Sequence, residues 1–300
     1  MTIKYCILVI KQTALSLGGR AAQFARQGDA TAHRIVRADA EHNRTIDTVR
    51  KMLTKKKIAF DVLPVGSLTS GANRKLASAD LVIAIGGDGT VLGSSHYMRQ
   101  SALLGVNSAP GDSVGHFCSL NRKTFAEGFD AILSDSWRCV ELARLQVILD
   151  NRPLPELAIN DVLIAHDCPA ATTRYLIEAG GRQEEQRSSG VWISTAAGST
   201  AGIRSAGGRV MPLRSRRLQF FVRELYREPN RSYQLTRGMI EPGEDITIAS
   251  KMSDGELYLD GSRTKYQFVF GMRAQFTVAD ADLKIFLLKK KEGRSSARKV

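Results

Sequence analysis

The sequence predicts an α/β fold in two domains, a parallel-sheet domain over residues 1–134 and a β-rich domain over residues 135–288. Three observations carry this. Leu81 to Ile85 (LVIAI) is an unbroken apolar run ending at Gly86-Gly87, the mark of a parallel strand buried on both faces. Strand and helix patterns alternate through the first third of the chain, the rhythm of an open sheet of the Rossmann-like kind. From Trp137 onward the chain changes to short alternating runs separated by turn residues.

Taken in order, Ile7 to Ile10 reads as a first strand. Asp39 to Lys57 carries Ile46, Val49 and Leu53 at helical spacing with charges between them, and Ile58 to Val65 is strand-like. After the Leu81–Ile85 strand a helix is expected from about Thr90. Leu103 to Val106 is the next strand, and Phe125, Phe129, Ile132 and Leu133 mark another helix. Beyond Ser134 the strand-like runs are Val140–Leu149, Ala158–Ala165, Arg174–Ala179, Gly190–Thr195, Leu218–Val222, Ile246–Ala249, Glu256–Leu259 and Tyr266–Phe270. Turns are expected at Asn151-Arg152-Pro153, Gly180-Gly181, Glu241-Pro242-Gly243 and Asp260-Gly261. Ala196 to Ser205 interrupts the pattern as a helix opened by GSTAG. The C-terminal segment is allowed to pack back on the first domain. Residues 289–300, rich in lysine and arginine, read as a solvated basic tail.

The chain has 300 residues and a net charge of +13, a balance that favours polyanions. No aromatic-and-basic motif accompanies the charge, so phosphorylated small molecules fit better than nucleic acid. No apolar run approaches the length that spans a bilayer. Cys6 to Ile10 is too short for a secretory signal, so no membrane partner is expected and the cytoplasm is the expected compartment. Cys6, Cys118, Cys139 and Cys168 are far apart and form no CxxC pair, and the histidines show no ligand spacing. The thiols are expected to be reduced and mostly buried.

Gly86-Gly87-Asp88-Gly89-Thr90 follows a buried strand and precedes a helix, where open α/β sheets place ligands. Glycines let a backbone approach a phosphate, and a helix N-terminus supplies N–H groups and partial positive charge. Asp88 would then take the proton of an attacking hydroxyl or hold Mg²⁺. The plainer alternative is a tight turn with Asp88 as helix cap, but one cap does not need three glycines. Asn160-Asp161 can grip a ribose diol or an adenine edge, since Asp accepts and Asn does both. A simple turn is the alternative, against which the apolar flanks Ile159 and Val162–Ile164 argue. Gly190 to Gly202 (GVWISTAAGSTAG) runs from an apolar strand into Ser194, Thr195, Ser199 and Thr200, which suits either a tight polar pocket or a strand followed by a helix capped by its own hydroxyls.

GGDGT is similar to the phosphate loop of NAD kinases, diacylglycerol and sphingosine kinases, and phosphofructokinases. The three motifs in this order, with Leu104-Gly105-Val106-Asn107 between the first two, resemble the NAD kinase family over roughly residues 80 to 262. Gly115-His116-Phe117-Cys118 and Arg187-Ser188-Ser189-Gly190 look like its mitochondrial-type branch. The resemblance implies an NAD kinase/diacylglycerol kinase-like fold with the active site between the two domains, and a homo-oligomer, dimer or tetramer. It implies transfer of a phosphoryl group from ATP with Mg²⁺ to the 2′-hydroxyl of the adenosine ribose of NAD, or of NADH. Asp88 would be catalytic. Gly86, Gly87, Gly89 and Thr90 would hold the ATP phosphates. Asn160, Asp161, Thr195, Ser199, Thr200, Ala201 and Ser205 would hold NAD, and Asp260-Gly261 resembles a later turn of the family. Four positions depart from the pattern. The aromatic that ends the third motif is Gly202 here, with Trp192 and Tyr175 as candidate substitutes. An acidic residue before the strand is Ser189, and Pro-Thr is replaced by Ala196-Ala197. A lipid kinase of the diacylglycerol or sphingosine type is the alternative, and it would need an apolar acceptor cleft.

Overall fold

The computed structural model describes residues 2–25, 30–69, 71–111 and 115–288; the basic tail expected over 289–300 lies outside them. The chain opens on β1 (Tyr5–Ile10), passes through α1 (Gly19–Phe24) and α2 (Ala30–Lys55), and returns as β2 (Ala59–Pro64). Next come α3 (Ala72–Ala77), β3 (Leu81–Gly86), α4 (Asp88–Ser95), β4 (Ala102–Asn107), β5 (Cys118–Asn121) and α5 (Phe125–Leu133). Strands pair in parallel in the order β2-β1-β3-β4, with β5 beside the end of β4. β3 and β4 are buried at every position, as strands covered by helices on both faces must be.

One face of this sheet packs Leu8, Ile83 and Val49 with Phe125 and Phe129, which stack 5.3 Å apart on α5. The other face packs Ile7, Val9 and Val82 against Val91 and Leu92 of α4. α2 begins at Ala30 rather than near Asp39. Its first turns hold alanines and charges, which favour helix without marking an apolar stripe, so periodicity misses them.

The remaining strands are β6 (Val140–Leu142), β7 (Leu145–Leu149), β8 (Arg152–Ala158), β9 (Asp161–His166), β10 (Thr173–Ala179), β11 (Arg182–Ser188), β12 (Gly190–Ser194), β13 (Leu218–Arg223), β14 (Arg237–Ile240), β15 (Asp245–Ser250), β16 (Gly255–Leu259), β17 (Thr264–Gln267), β18 (Arg273–Val278) and β19 (Leu283–Phe286). One short helix, α6 (Gly202–Ala206), interrupts them. Two antiparallel sheets result, ordered β11-β10-β15-β18-β7-β8 and β14-β13-β12-β9-β16-β17. They share one core, with Tyr175, Ile177, Ile248 and Phe276 from the first meeting Val162, Ile164, Ile193 and Leu257 from the second.

Several sequence expectations change here. The Val140–Leu149 run is cut at Ala143-Arg144, and β6 joins the parallel sheet while β7 joins an antiparallel one. The Ala158–Ala165 run is two strands with a bend at Ile159-Asn160. The Tyr266–Phe270 strand is displaced to Thr264–Gln267. β11 (RQEEQRS) contains no apolar residue and exists because β10 pairs with it along its whole length. β19 inserts between β4 and β6, so late residues complete the first sheet. All four cysteines are free, but only Cys6 is buried, and Cys168 is exposed in the loop after β9. No helix among the described residues is long and apolar enough to cross a membrane.

Candidate active site

In the β2-β1-β3-β4 order, the connections leave β1 and β3 in opposite directions. The crevice at their carboxyl ends is where such sheets bind ligands. Lys11 closes it from β1, its N–H bonding the carbonyl of Ile85 at 3.0 Å. Gly86 and Gly87 close it from β3. A Cβ on Gly86 would lie 2.1 Å from the Thr90 hydroxyl, so only glycine fits. Gly89, exposed on the first turn of α4, has nothing within 4 Å of its missing Cβ, which leaves open space over the helix N-terminus.

Asp88 is the first residue of α4, but it does not cap the helix. Gly87 is the N-cap, without a side-chain cap bond. The Asp88 carboxylate instead reaches across to the segment after β4 and accepts N–H bonds from His116 and Phe117, both at 2.8 Å. Gly105 permits this approach, because a Cβ there would stand 2.4 Å from the Phe117 carbonyl. Gly115, with φ of 65°, turns the chain into position. Beside Asp88, burial first and the carboxylate second push the Cys118 thiol up to about 12.

Asn160-Asp161 lies in the bend between β8 and β9, and the bend is buried, with Ile159 and Asp161 almost inaccessible. Asp260 organises it. Its carboxylate accepts N–H bonds from Ile159 at 2.9 Å, Asn160 at 2.7 Å and Asp161 at 3.1 Å, and it meets His96 Nε2 at 3.0 Å. The Asp260 N–H returns a bond to the Asp161 carbonyl at 2.9 Å. The Asn160 Oδ1 atom, by contrast, is buried with no partner among the described residues. Glu256 Oε2 and Asp282 Oδ1 share that state, and of the three only Asn160 lies in this bend.

The third motif packs onto the same bend. A Cβ at Gly198 would stand 1.9 Å from the Asn160 carbonyl oxygen. Thr195 donates its hydroxyl to the Ile159 carbonyl and accepts the Gly198 N–H at 3.1 Å. Ser199 donates to the Ala196 carbonyl at 2.7 Å and accepts from Met211 N–H at 2.9 Å. Both hydroxyls are buried and engaged with backbone, so they hold the bend and the third motif together. Thr200 and Ser205 are exposed, and Ala201 is half-buried at the start of α6. Trp192 fills the space beside Gly202, where a Cβ would meet its ring at 3.0 Å. Tyr175 is a core residue, its hydroxyl bonded to Gln186 and Ser188 at 3.0 Å.

α4 connects the two sites. Asp88 opens it, and His96 just past its end holds Asp260, a span of ~12 Å at the helical rise. Ile159 and Ala197 share a core cluster with Val91 and Leu92 of the same helix. Its far end is stitched down by Arg144, fully buried, whose guanidinium donates to the carbonyls of Ser95 at 3.0 Å, Met98 at 2.8 Å and Ala281 at 2.8 Å. On the other face of the sheet a cleft of about 410 Å³ is lined by Lys11, Thr13, Arg34, Asp39, His42 and Ser108. His42 Nε2 donates to the Lys11 carbonyl at 3.0 Å, and Nδ1 accepts the Ser108 hydroxyl at 2.9 Å. Burial holds this imidazole below its usual range, which keeps it neutral in that tautomer.

The sequence singled out Asp88 and Asn160-Asp161 but did not reveal the groups that hold them. His116 and Phe117 act through backbone N–H, which no side-chain pattern reports. Asp260, set before a glycine, was visible only as a turn; His96, Arg144 and His42 carried no signal.

No family model matches the chain. It is 32% identical over 268 residues to a probable NADH kinase of Oryza sativa subsp. japonica, covering 82% of this chain and 81% of the rice protein. It is 31% identical to the NADH kinase of Arabidopsis thaliana, over 82% of this chain and 83% of that one. Among solved structures, an NAD kinase from Archaeoglobus fulgidus in complex with ATP superposes with a TM-score of 0.68 at 15% identity, covering 95% of this chain and 94% of the other. Yeast NADH kinase complexed with NADH superposes with a TM-score of 0.67 at 15% identity, covering 95% and 84%.

Proposed function

The chain belongs to the NAD kinase family, and from that premise we propose that it phosphorylates the 2′-hydroxyl of the adenosine ribose of NAD or NADH with ATP, making NADP or NADPH. The observation that carries this reading is the Asp88 carboxylate, fixed by two N–H bonds at a glycine-lined helix N-terminus. With the ribose hydroxyl against it, the carboxylate takes the proton as the new O–P bond forms and ADP leaves. The His116 and Phe117 N–H groups orient it for that transfer. The donor triphosphate lies over Gly86, Gly87, Gly89 and Thr90, and Lys11, whose N–H bonds the Ile85 carbonyl at the end of β3, is the cation placed beside that loop.

The acceptor lies over the Asn160 bend, where the orphaned Oδ1 awaits an N–H donor. Thr195 and Ser199 hold the floor of that pocket, and Thr200, Ala201 and Ser205 lie along its rim. This polar, orphaned acceptor disfavours a lipid substrate. The two relatives that match over 82% of this chain are named probable NADH kinase and NADH kinase, which favours the reduced dinucleotide. No group of three metal-ligating side chains occurs among the described residues. Mg²⁺ would be held through the donor phosphates, with Asp88 as a carboxylate that could help hold it, and it would neutralise phosphate charge there. A cytoplasmic homo-oligomer, dimer or tetramer, completes the proposal; light scattering after size exclusion tests the oligomer.

The deciding experiment incubates the purified chain with ATP and Mg²⁺ and with NAD, NADH, diacylglycerol or sphingosine in parallel. NADP or NADPH should form in the first two arms. Phosphorylated lipid with no dinucleotide product would overturn the assignment.

A further inference from the structure

β3 ends at Gly86 between β1 and β4, and backbone bonds lace the three strand ends together. Lys11, after β1, donates its N–H to the Ile85 carbonyl at 3.0 Å, and Ser108, after β4, donates its N–H to the Gly86 carbonyl at 2.9 Å. His42 bridges these two flanking segments from α2, with Nε2 at 3.0 Å from the Lys11 carbonyl and Nδ1 at 2.9 Å from the Ser108 hydroxyl. A carbonyl only accepts, so Nε2 carries the proton, and a neutral ring then accepts through Nδ1. His42 is 3% exposed and Ser108 1%, so losing either bond leaves a buried polar group unpaired. Asp39, one turn earlier on α2, accepts the Thr13 hydroxyl, so the helix holds the segment after β1 at two points. The lacing has little slack. The Lys11 Cβ lies 3.0 Å from where a Gly86 Cβ would stand, so a shift of Lys11 reaches the phosphate loop directly.

We propose that His42 is a positioning residue for the phosphoryl donor, acting from α2 through the Lys11 and Ser108 segments to set the place of Lys11 and of Gly86, the first glycine of the phosphate loop. The proposal rests on the NAD(H) kinase reading and deepens it on the donor side. Two features separate this role from ordinary core packing. Both ring nitrogens are spent on the segments flanking the phosphate loop, whereas the acceptor bend has its own clamp in Asp260. α2 also packs on the face of the sheet opposite α4, the helix that joins the two sites. Disturbing His42 therefore weakens the donor and spares the acceptor. The ring serves as one donor and one acceptor, which an apolar residue of similar size lacks and a glutamine amide supplies. Burial, which holds the imidazole below its usual range, keeps it in that neutral form.

The test compares the natural chain with His42→Leu and His42→Gln. It reads the KM for ATP, the KM for NAD and NADH, and the affinity for ATP with Mg²⁺ by equilibrium titration. His42→Leu should raise the KM and the dissociation constant for ATP by ~10-fold and leave the dinucleotide KM within about twofold. His42→Gln should recover most of the lost donor affinity. Unchanged ATP affinity in His42→Leu, an equal rise for donor and acceptor, or a glutamine variant as impaired as the leucine one would each overturn the proposal. Should His42→Leu not fold, Ser108→Ala removes the hydroxyl and keeps the N–H to Gly86. It should weaken ATP by ~3-fold or more at an unchanged dinucleotide KM, and natural affinity for ATP in that variant sinks the proposal. A natural chain that phosphorylates neither NAD nor NADH would instead refute the kinase reading. The ATP titration would still decide the role of His42, and a natural chain that binds no ATP refutes both.

Discussion

At the scale of single residues, chemistry at this site depends on which hydrogen bonds a carboxyl group has. Among the described residues Asp88 has two backbone N–H donors, Asp260 has three and an imidazole, and no hydrogen bond ends on the Asp161 carboxyl. Replacing Asp88 with Asn should lower kcat by ~10²-fold or more with little change in nucleotide binding, because a general base acts in the transition state. Steady-state kinetics beside a binding titration of NAD checks this, and a near-normal kcat would remove Asp88 from the mechanism. Asp161 makes a different prediction, on stability. Its folded-state carboxyl is raised above its ordinary value, so the folded chain binds more protons than the unfolded one between the two values. Stability therefore falls as pH rises through that window, and the loss is complete above about 8. Asp161→Asn removes the titrating group. The difference in melting temperature, variant minus natural chain, should widen from about pH 4 to about pH 8 and then stay constant. A difference independent of pH would mean that the carboxyl ionises freely in the folded chain.

Among the elements, α4 has the largest consequence for its length. It carries Asp88 at one end, and the His96–Asp260 contact at the other fixes the bend that holds Asn160. Arg144 anchors its last turn through backbone carbonyls. Arg144→Met should leave those carbonyls without donors, at ~1–3 kcal/mol for each that water cannot reach, and lower the melting temperature by ~5 °C or more. Calorimetry of the variant checks it, and an unchanged transition would show that the carbonyls find other partners. α6 makes a second case. Gly202 abuts the Trp192 ring, so Gly202→Tyr should clash, lower the melting temperature and raise the KM for NAD. A stable variant with tighter NAD binding would mean that Trp192 moves aside. The sequence showed that an aromatic was missing at residue 202. It offered Trp192 and Tyr175 as substitutes but could not choose between them, because Trp192 is ten residues away along the chain and meets Gly202 only through folding.

Over the whole molecule, the two ends of the chain share one sheet. β19 lies between β4 and β6, and Trp137 packs edge-on against Phe286 with ring centroids 5.8 Å apart while its indole N–H bonds the Leu287 carbonyl at 3.2 Å. Ending the chain before Leu283 should therefore abolish cooperative unfolding, read from Trp137 fluorescence; a truncated chain that still melts in one transition would make β19 dispensable. Local pattern was enough for the parts that depend on neighbouring residues. The unbroken apolar run of β3, short, β-branched and closed by glycines, reads as a doubly covered strand, and glycines around Asp88 mark a backbone made for close approach. The family and its reaction followed from the order of three such motifs. Tertiary structure decided the rest. β11 has no apolar residue and is a strand only because β10 lies beside it. The donors to Asp88 are backbone N–H groups, which every residue but proline carries and which are therefore invisible in sequence. The state of Asp161 depends on a carboxylate that folding brings from Asp260, since burial and proximity, which set a proton's affinity, are properties of the packed chain.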